Sequence, residues 1–470
     1  MAYEDRTIGT EMNEPFHDFY RCPESFGIFT LAAELCHEPG FFRFGDDLIC
    51  FGQCSAGDSS RVPNNGLYNS FQEVSFNHAS VRLPFDVAQV INNLRLERYV
   101  TRSNHASVQR VIRDGYYFVR PFLGVSVRKH LQKFFFRGWH SLPFPRWPVD
   151  TTVEQLFEKL LVLALKAQKV DAIPFIWFWP EGASSCVMMT HDVESGVGAG
   201  FCSGLMDIDD SYGIRSSIQV VPEERYPVTQ EWLDSICQRG FELNVQDLNH
   251  DGLLFRDRKN FLDRAGAINR YANAYGSRGF RSAAMYRNPD WYDALNVSYD
   301  MSIPNVAHLE PQRGGCCTVF PYFIGKILEL PLTTAQDYSL FHILDEYSIQ
   351  LWKRQISLIQ QRHGLVSFIT HPDYIIAERA RGTYLALLEH LAQLRKDGGV
   401  WMALPREVDC WWRERSQMKL VDCRGTWVIE GPGRERAGVA YAMLDGDNLV
   451  YVLPETSQQS SRSEAGVIGR

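Results

Sequence analysis

The stretch VMMTHDVESG, residues 187–196, runs from an unbroken apolar core into Thr190, His191, Asp192 and Glu194 within a few positions. A short apolar run that ends in polar and acidic side chains reads as a strand buried on both faces, delivering its last residues to an open edge. Asp192 and Glu194 stand two apart at that edge, so one is placed to act as a base and the other as a metal ligand.

The same rhythm continues outward. SIQVV (217–221), FELNV (241–245), GFRS (279–282), LNVSYD (295–300), ILELPLT (327–333), LVSFIT (365–370) and VWMAL (400–404) are further strand candidates. Helical spacing fills the intervals at 229–239, 257–275, 345–362 and 381–396. Strand and helix taking turns in this way predict a parallel α/β domain, either a barrel or an open sheet. At least seven candidate strands end in polar residues, which favours barrel-like closure over a doubly wound sheet. Either way, chemistry is expected at the carboxyl ends of the strands.

The flanks read differently. Residues 1–150 are rich in aromatics and turn formers, with strand-like runs at Phe41–Phe51 and Tyr116–Val119, and predict an irregular α+β region with few long helices. RGWHSLPFPRWPVDTT (137–152), too stiff for a helix interior, is expected to strap along a neighbouring domain. VEQLFEKLLVLALKAQ (153–168), preceded by Thr152, is a helix and opens the barrel domain, taken as 151–416. Beyond the amphipathic PREVDCWWRERS (405–416), the segments MKLVD, WVIE, AGVAYAML and NLVYVLP predict a small antiparallel β extension over 417–456, followed by a disordered tail at 457–470.

Composition bounds the function. The chain has 470 residues, 45 % hydrophobic and 22 % charged, which is ordinary globular usage. Its 56 acidic and 48 basic residues give a net charge of -8 with no Lys/Arg block, so nucleic acid is not an expected partner. No apolar leader core and no stretch near the ~20 residues of a spanning helix can be read, so a cytoplasmic protein without a membrane span is expected. The eleven cysteines are expected as free thiols. Cys50-x3-Cys54, with Cys36 and His37 upstream, supplies only half of the duplicated cysteine pattern common in structural zinc sites.

Four more strand ends carry chemistry. FELNVQDLNHDG (241–252) leads into Gln246, Asp247, His250 and Asp251; a helical turn there would bring Gln246 and His250 to one side. In LVSFITHPDY (365–374), Pro372 forces an extended backbone at His371, a residue suited to proton transfer. GFRSAAMYRN (279–288) presents Arg281, able to orient a carboxylate, and LNVSYD ends at Asp300.

Taken in order, THDVE, NHDG, GFRS, YD, GGCC, LPLTTAQD and THPDY resemble the polysaccharide deacetylases of carbohydrate esterase family 4, the NodB-homology group, over roughly 180–405. The resemblance implies an irregular (β/α)7 barrel and a divalent cation, often zinc, that serves hydrolysis of an N-acetyl group on a sugar. It implies Asp192 as catalytic base, Glu194, Gln246 and His250 as the metal-side residues, Arg281 as the partner of the base, and His371 as general acid. Asp300 would orient part of the active site. GGCCTVFPY (314–322) and the polar Thr333, Gln336 and Asp337 would line the groove and meet sugar hydroxyls. The chain departs from the family pattern at Gln246, where a histidine is usual, at Glu194, one methylene longer than the usual aspartate, and at Ala283, near an expected proline. Two functions stay open: an active N-deacetylase, or an impaired homologue that binds glycan or serves as a scaffold beside polysaccharide-synthesis proteins. Oligomeric state is not readable.

Overall fold

The computed structural model describes residues 4–55, 60–64, 66–100, 136 and 138–454; the strand expected at Tyr116–Val119 and the tail at 457–470 lie outside the described residues. The N-terminal region opens with α1 (Glu4–Tyr20), a long helix where few were expected. Five short strands follow: β1 (Phe29–Leu31), β2 (Gly40–Arg43), β3 (Ile49–Gly52), β4 (Ser75–Asn77) and β5 (Ser80–Leu83). The run Phe41–Phe51 is therefore a hairpin, β2 pairing antiparallel with β3. Next comes α2 (Val87–Arg95), capped by Asp86, whose carboxylate accepts from the Gln89 amide at 2.9 Å.

This region shares its core with the barrel. Phe16, Phe19 and Tyr20 of α1 are buried at helical spacing, and Phe19 stacks on Phe157 at 4.4 Å. Phe157 belongs to α3 (Thr152–Gln168), the helix expected at 153–168. The segment before α3 is the expected strap: Trp147 stacks on His308, and Asn305 holds Asp150 through both backbone groups, at 2.8 and 2.7 Å.

The chain then alternates β6 (Ala172–Ile176), β7 (Ser185–Val193), α4 (Gly196–Ser211), β8 (Ser217–Val220), α5 (Gln230–Gln238), β9 (Glu242–Gln246), α6 (Arg258–Tyr275), β10 (Gly279–Arg281), β11 (Tyr299–Asp300), β12 (Tyr322–Ile324), β13 (Ile327–Glu329), α7 (Gln350–Gln360), β14 (Leu365–Thr370), α8 (Glu378–Lys396), β15 (Val400–Met402) and α9 (Pro405–Gln417). The main sheet runs β13-β11-β10-β9-β8-β7-β14, every neighbouring pair parallel. Outside that path, β12 joins β13 antiparallel, and β15 pairs parallel with the start of β7.

Between the two outer strands, side chains do the joining. The Thr333 and Thr334 hydroxyls donate to the Leu365 and Ser367 carbonyls at 2.8 and 2.7 Å, and the Ser367 amide donates to the Thr333 hydroxyl at 2.8 Å. The result is an irregular (β/α) barrel of seven parallel strands with helices outside. Every residue of β7 is buried, as a strand covered on both faces requires.

Two helices differ from the sequence reading. α4, rich in glycine, lacks a strong propensity signal; it is fixed by its Ser195 cap, which accepts from the Gly198 amide at 3.1 Å, and by buried Cys202, Leu205 and Met206. The helix expected from Asp345 begins only at Gln350, because a π turn occupies Ser339–Ile343 and Asp345 adopts φ +55°. The C-terminal strands β16 (Lys419–Cys423) and β17 (Thr426–Glu430) form a hairpin, while β18 (Val439–Asp445) and β19 (Asn448–Val452) join β6 in a second small sheet. The expected extension is thus two pieces, one of them built onto the flank of the barrel domain.

Candidate active site

The alternation of β7 sorts its polar end into two sets. His191 points to the helical layer, where its Nε2 meets Asp209 Oδ2 at 2.9 Å and its Nδ1 meets the Thr370 hydroxyl at 2.7 Å. Thr190 and Asp192 share the opposite side, and both meet Arg281 from β10. One guanidinium nitrogen donates to Asp192 Oδ1 at 2.7 Å and to the Thr190 hydroxyl at 2.8 Å, while Nε donates to the Met301 carbonyl at 3.1 Å. Arg281 is fully buried, so this pairing fixes the orientation of the Asp192 carboxylate.

The second Asp192 oxygen accepts from Gln246 Nε2 at 3.2 Å, and the same amide nitrogen donates to Glu194 Oε1 at 3.0 Å. Glu194 Oε1 also lies 2.6 Å from His250 Nε2 and 3.6 Å from His371 Nε2. The helical turn expected after β9 is absent: Asp247 and His250 both take the left-handed conformation, at φ +52° and +56°. The loop nonetheless brings Gln246 and His250 to the same carboxylate. Two non-glycine residues in that region carry backbone strain, held here by tertiary contacts such as the Asp247 amide donating to the Arg281 carbonyl at 2.8 Å.

His371 follows β14 and is locked by Asp337. The Asp337 carboxylate meets its Nδ1 at 2.7 Å and accepts its backbone amide at 2.7 Å, leaving Nε2 directed at Glu194. Burial works against charge at every one of these groups, and the partners decide the outcome. Burial pushes the Asp192 carboxyl up against the pull of Arg281. At Glu194 burial is overcome by the imidazoles of His250 and His371, which hold its carboxyl well below the usual range. For His371, burial is likewise overcome, and Asp337 and Glu194 hold the imidazole well above its ordinary value; Glu194 raises His250 in the same way.

Asp192, Glu194, Gln246, His250, Arg281 and His371 therefore meet in one cluster, as expected. The other expected site residues lie outside that cluster or support it, each by what its side chain bonds. Asp300 is buried beside Glu329, its register neighbour on β13, and accepts from the Ser302 hydroxyl at 2.6 Å. Thr333 spends its hydroxyl on β14, and Gln336 donates to Glu310 at 2.8 Å, so neither joins the Asp192 cluster. Asp337 is fully buried and anchors His371. The 314–317 segment is buried under the N-terminal region, where Tyr99 donates to the Gly315 carbonyl at 2.6 Å. Cys36, Cys50 and Cys54 are in no disulfide. Sequence reasoning missed the Asp337–His371 pair; a carboxylate just past a strand was its only local signal.

The cluster suits a divalent cation. Asp192, Glu194 and His371 each offer a ligand atom within 4.8 Å of the others, one nitrogen and two oxygens. Gln246 Oε1 and both His250 ring nitrogens are buried and make no hydrogen bond among the described residues, leaving an amide oxygen and an imidazole unspent in the cluster.

No family model and no curated protein sequence matches this chain. Solved structures do, in part. It is similar to a protein from Mycobacterium smegmatis assigned as a polysaccharide deacetylase, at 17 % identity over 51 % of this chain and 93 % of that one, with a TM-score of 0.41. It is similar to an allantoinase at 12 % identity over 50 % and 92 % of the two chains, with a TM-score of 0.41. A mutant of a CE4 family pseudoenzyme, with restored enzymatic activity, shares 13 % identity over 48 % and 67 %, with a TM-score of 0.28. No described helix is long and apolar enough to cross a membrane.

Proposed function

We propose that this chain is a polysaccharide-deacetylase-like amide hydrolase, which removes the N-acetyl group from an amino-sugar-containing glycan or its precursor. One observation carries the reading: a carboxylate locked by an arginine and an imidazole locked by a carboxylate converge in one cluster, the geometry of a matched base and acid.

Asp192, ionised and oriented by Arg281, takes the proton of the attacking water. His371, protonated between Asp337 and Glu194, gives a proton to the departing amine, and the products are acetate and a free amino sugar. Glu194, His250 and Gln246, the last through its amide oxygen, would hold a divalent cation, zinc by the imidazole and carboxylate in the set, which supplies Lewis acidity to the carbonyl and lowers the pKa of water.

A second reading rests on Gln246. Its Nε2 donates to both Asp192 and Glu194, so hydrogen bonds quiet the two carboxylates where the family pattern has a second imidazole. This favours an impaired homologue that binds glycan or acts as a scaffold in exopolysaccharide synthesis. Equilibration of the pure protein with zinc, a count of metal per chain, and an assay of acetate release from N-acetylated chitooligosaccharides separate the two. Stoichiometric metal with acetate release supports hydrolysis; neither metal nor acetate supports the binding reading.

A further inference from the structure

The site opens on one side. Arg281 and Asp192 are sealed, whereas Glu194 is 22 % exposed and borders His371. Next to His371 stand three half-buried aromatic rings. Tyr374 lies 4.8 Å from the His371 ring at 35°, His342 lies 4.9 Å from Tyr374 at 85°, and Tyr338 lies 6.1 Å from Tyr374 at 39°. The Tyr374 hydroxyl makes no hydrogen bond among the described residues, and the phenol is pushed up by burial and by the charges of Glu194, Asp337 and Asp373, which places it against the acidic cluster.

We infer that Tyr374, flanked by Tyr338 and His342, is the binding wall for the leaving-group side of the substrate, on which an amine-bearing sugar ring stacks. The inference rests on the hydrolytic reading above. The group that protonates the departing nitrogen must stand next to it, so the remainder of the leaving group extends past His371, where these rings are. The C–H face of a pyranose carries slight positive charge and meets the negative face of an aromatic ring, while the hydroxyl edge stays free for hydrogen bonds. Asp373 ties the base of this wall to the end of β7 through the Ser195 hydroxyl, which donates to its Oδ2 at 3.2 Å.

The test uses full-length protein with N-acetylated chitotriose as the probe, following binding by ligand-observed NMR and turnover by acetate release. Tyr374→Ala is expected to weaken binding and raise KM about tenfold with kcat within about threefold, and Tyr374→Phe to stay within about twofold of wild type on both, since stacking survives. His371→Ala is expected to lose turnover while binding stays within about threefold. Unchanged binding in Tyr374→Ala overturns the wall, as does a fall in kcat without a rise in KM, which marks Tyr374 as only a positioning residue for His371. Wild-type protein that binds chitotriose through Tyr374 but releases no acetate leaves the wall standing and overturns the hydrolytic reading. Wild-type protein that does not bind chitotriose overturns the wall, whereas acetate release still decides the hydrolytic reading separately.

Discussion

Two pairs of buried acids stand at the carboxyl ends of strands in this barrel, and they differ in their company. Asp192 and Glu194 are surrounded by Arg281, His250 and His371 and reach an opening. Asp300 and Glu329 are fully buried, side by side across β11 and β13, and among the described residues no cation contacts either. In the first pair, Arg281 fixes Asp192 and the imidazoles of His250 and His371 hold Glu194 well below its ordinary value. In the second, burial pushes both groups up; Asp300 adds to the rise at Glu329, which lies well above its ordinary value, while the hydrogen bond from Glu329 pulls Asp300 partly back, so a proton stays in the pair. Burial alone does not set an acid's behaviour: adjacent cations and the partly exposed Glu194 side chain distinguish the first pair from the sealed one.

The largest effect should come from breaking the first pair. Asp192→Asn and His371→Ala are each expected to cut kcat by about 10³-fold in an acetate-release assay of the folded protein. Asp300→Asn, in the second pair, is expected to leave kcat within about threefold and to appear in stability instead. A rate loss in Asp300→Asn equal to that in Asp192→Asn would erase the distinction.

Removing the charge that holds His371 comes next. Asp337→Asn keeps the size of the side chain and is expected to lower kcat by about 10²-fold, because His371 loses both its orientation and the partner that keeps it protonated.

The smallest effect sharpens the contrast through pH. Glu194 is held below its ordinary 4.5, so its contribution to stability is present above 4.5 and is lost as pH falls through its lowered value. Glu329 is raised, so its contribution is full below 4.5 and is lost as pH rises toward its raised value. Melting curves over that range should therefore show Glu194→Gln approaching wild type as pH falls and Glu329→Gln gaining on wild type as pH rises, by about 2 °C each. Slopes of the same sign would contradict the assignment.

Much of the working pair was legible because its signal is local. Asp192, Gln246, Arg281 and His371 each end an apolar run, and a run buried on both faces betrays itself in single-strand patterning. Asp300 carries the same local signature and belongs to the sealed pair, because its environment is set by Glu329, 29 positions later, through strand pairing that no window around residue 300 contains. Thr333 shows the same limit: a polar residue past a strand suits a groove, yet the incomplete edge of the sheet needed its hydroxyl to hold β14. α4 escaped detection because Ser195 capping and core contacts, not intrinsic propensity, hold its glycines helical.

In the proposed reaction Asp192 and His371 act as a base and acid of opposite protonation in one cluster. The pH dependence of kcat/KM for acetate release, measured for wild type and Asp337→Asn, tests it most directly. A bell is expected, its acidic limb above the usual carboxylate range from Asp192 and its basic limb well above 6.5 from His371, with the basic limb moving to lower pH in the variant. A basic limb that stays in place when Asp337 loses its charge would contradict the account.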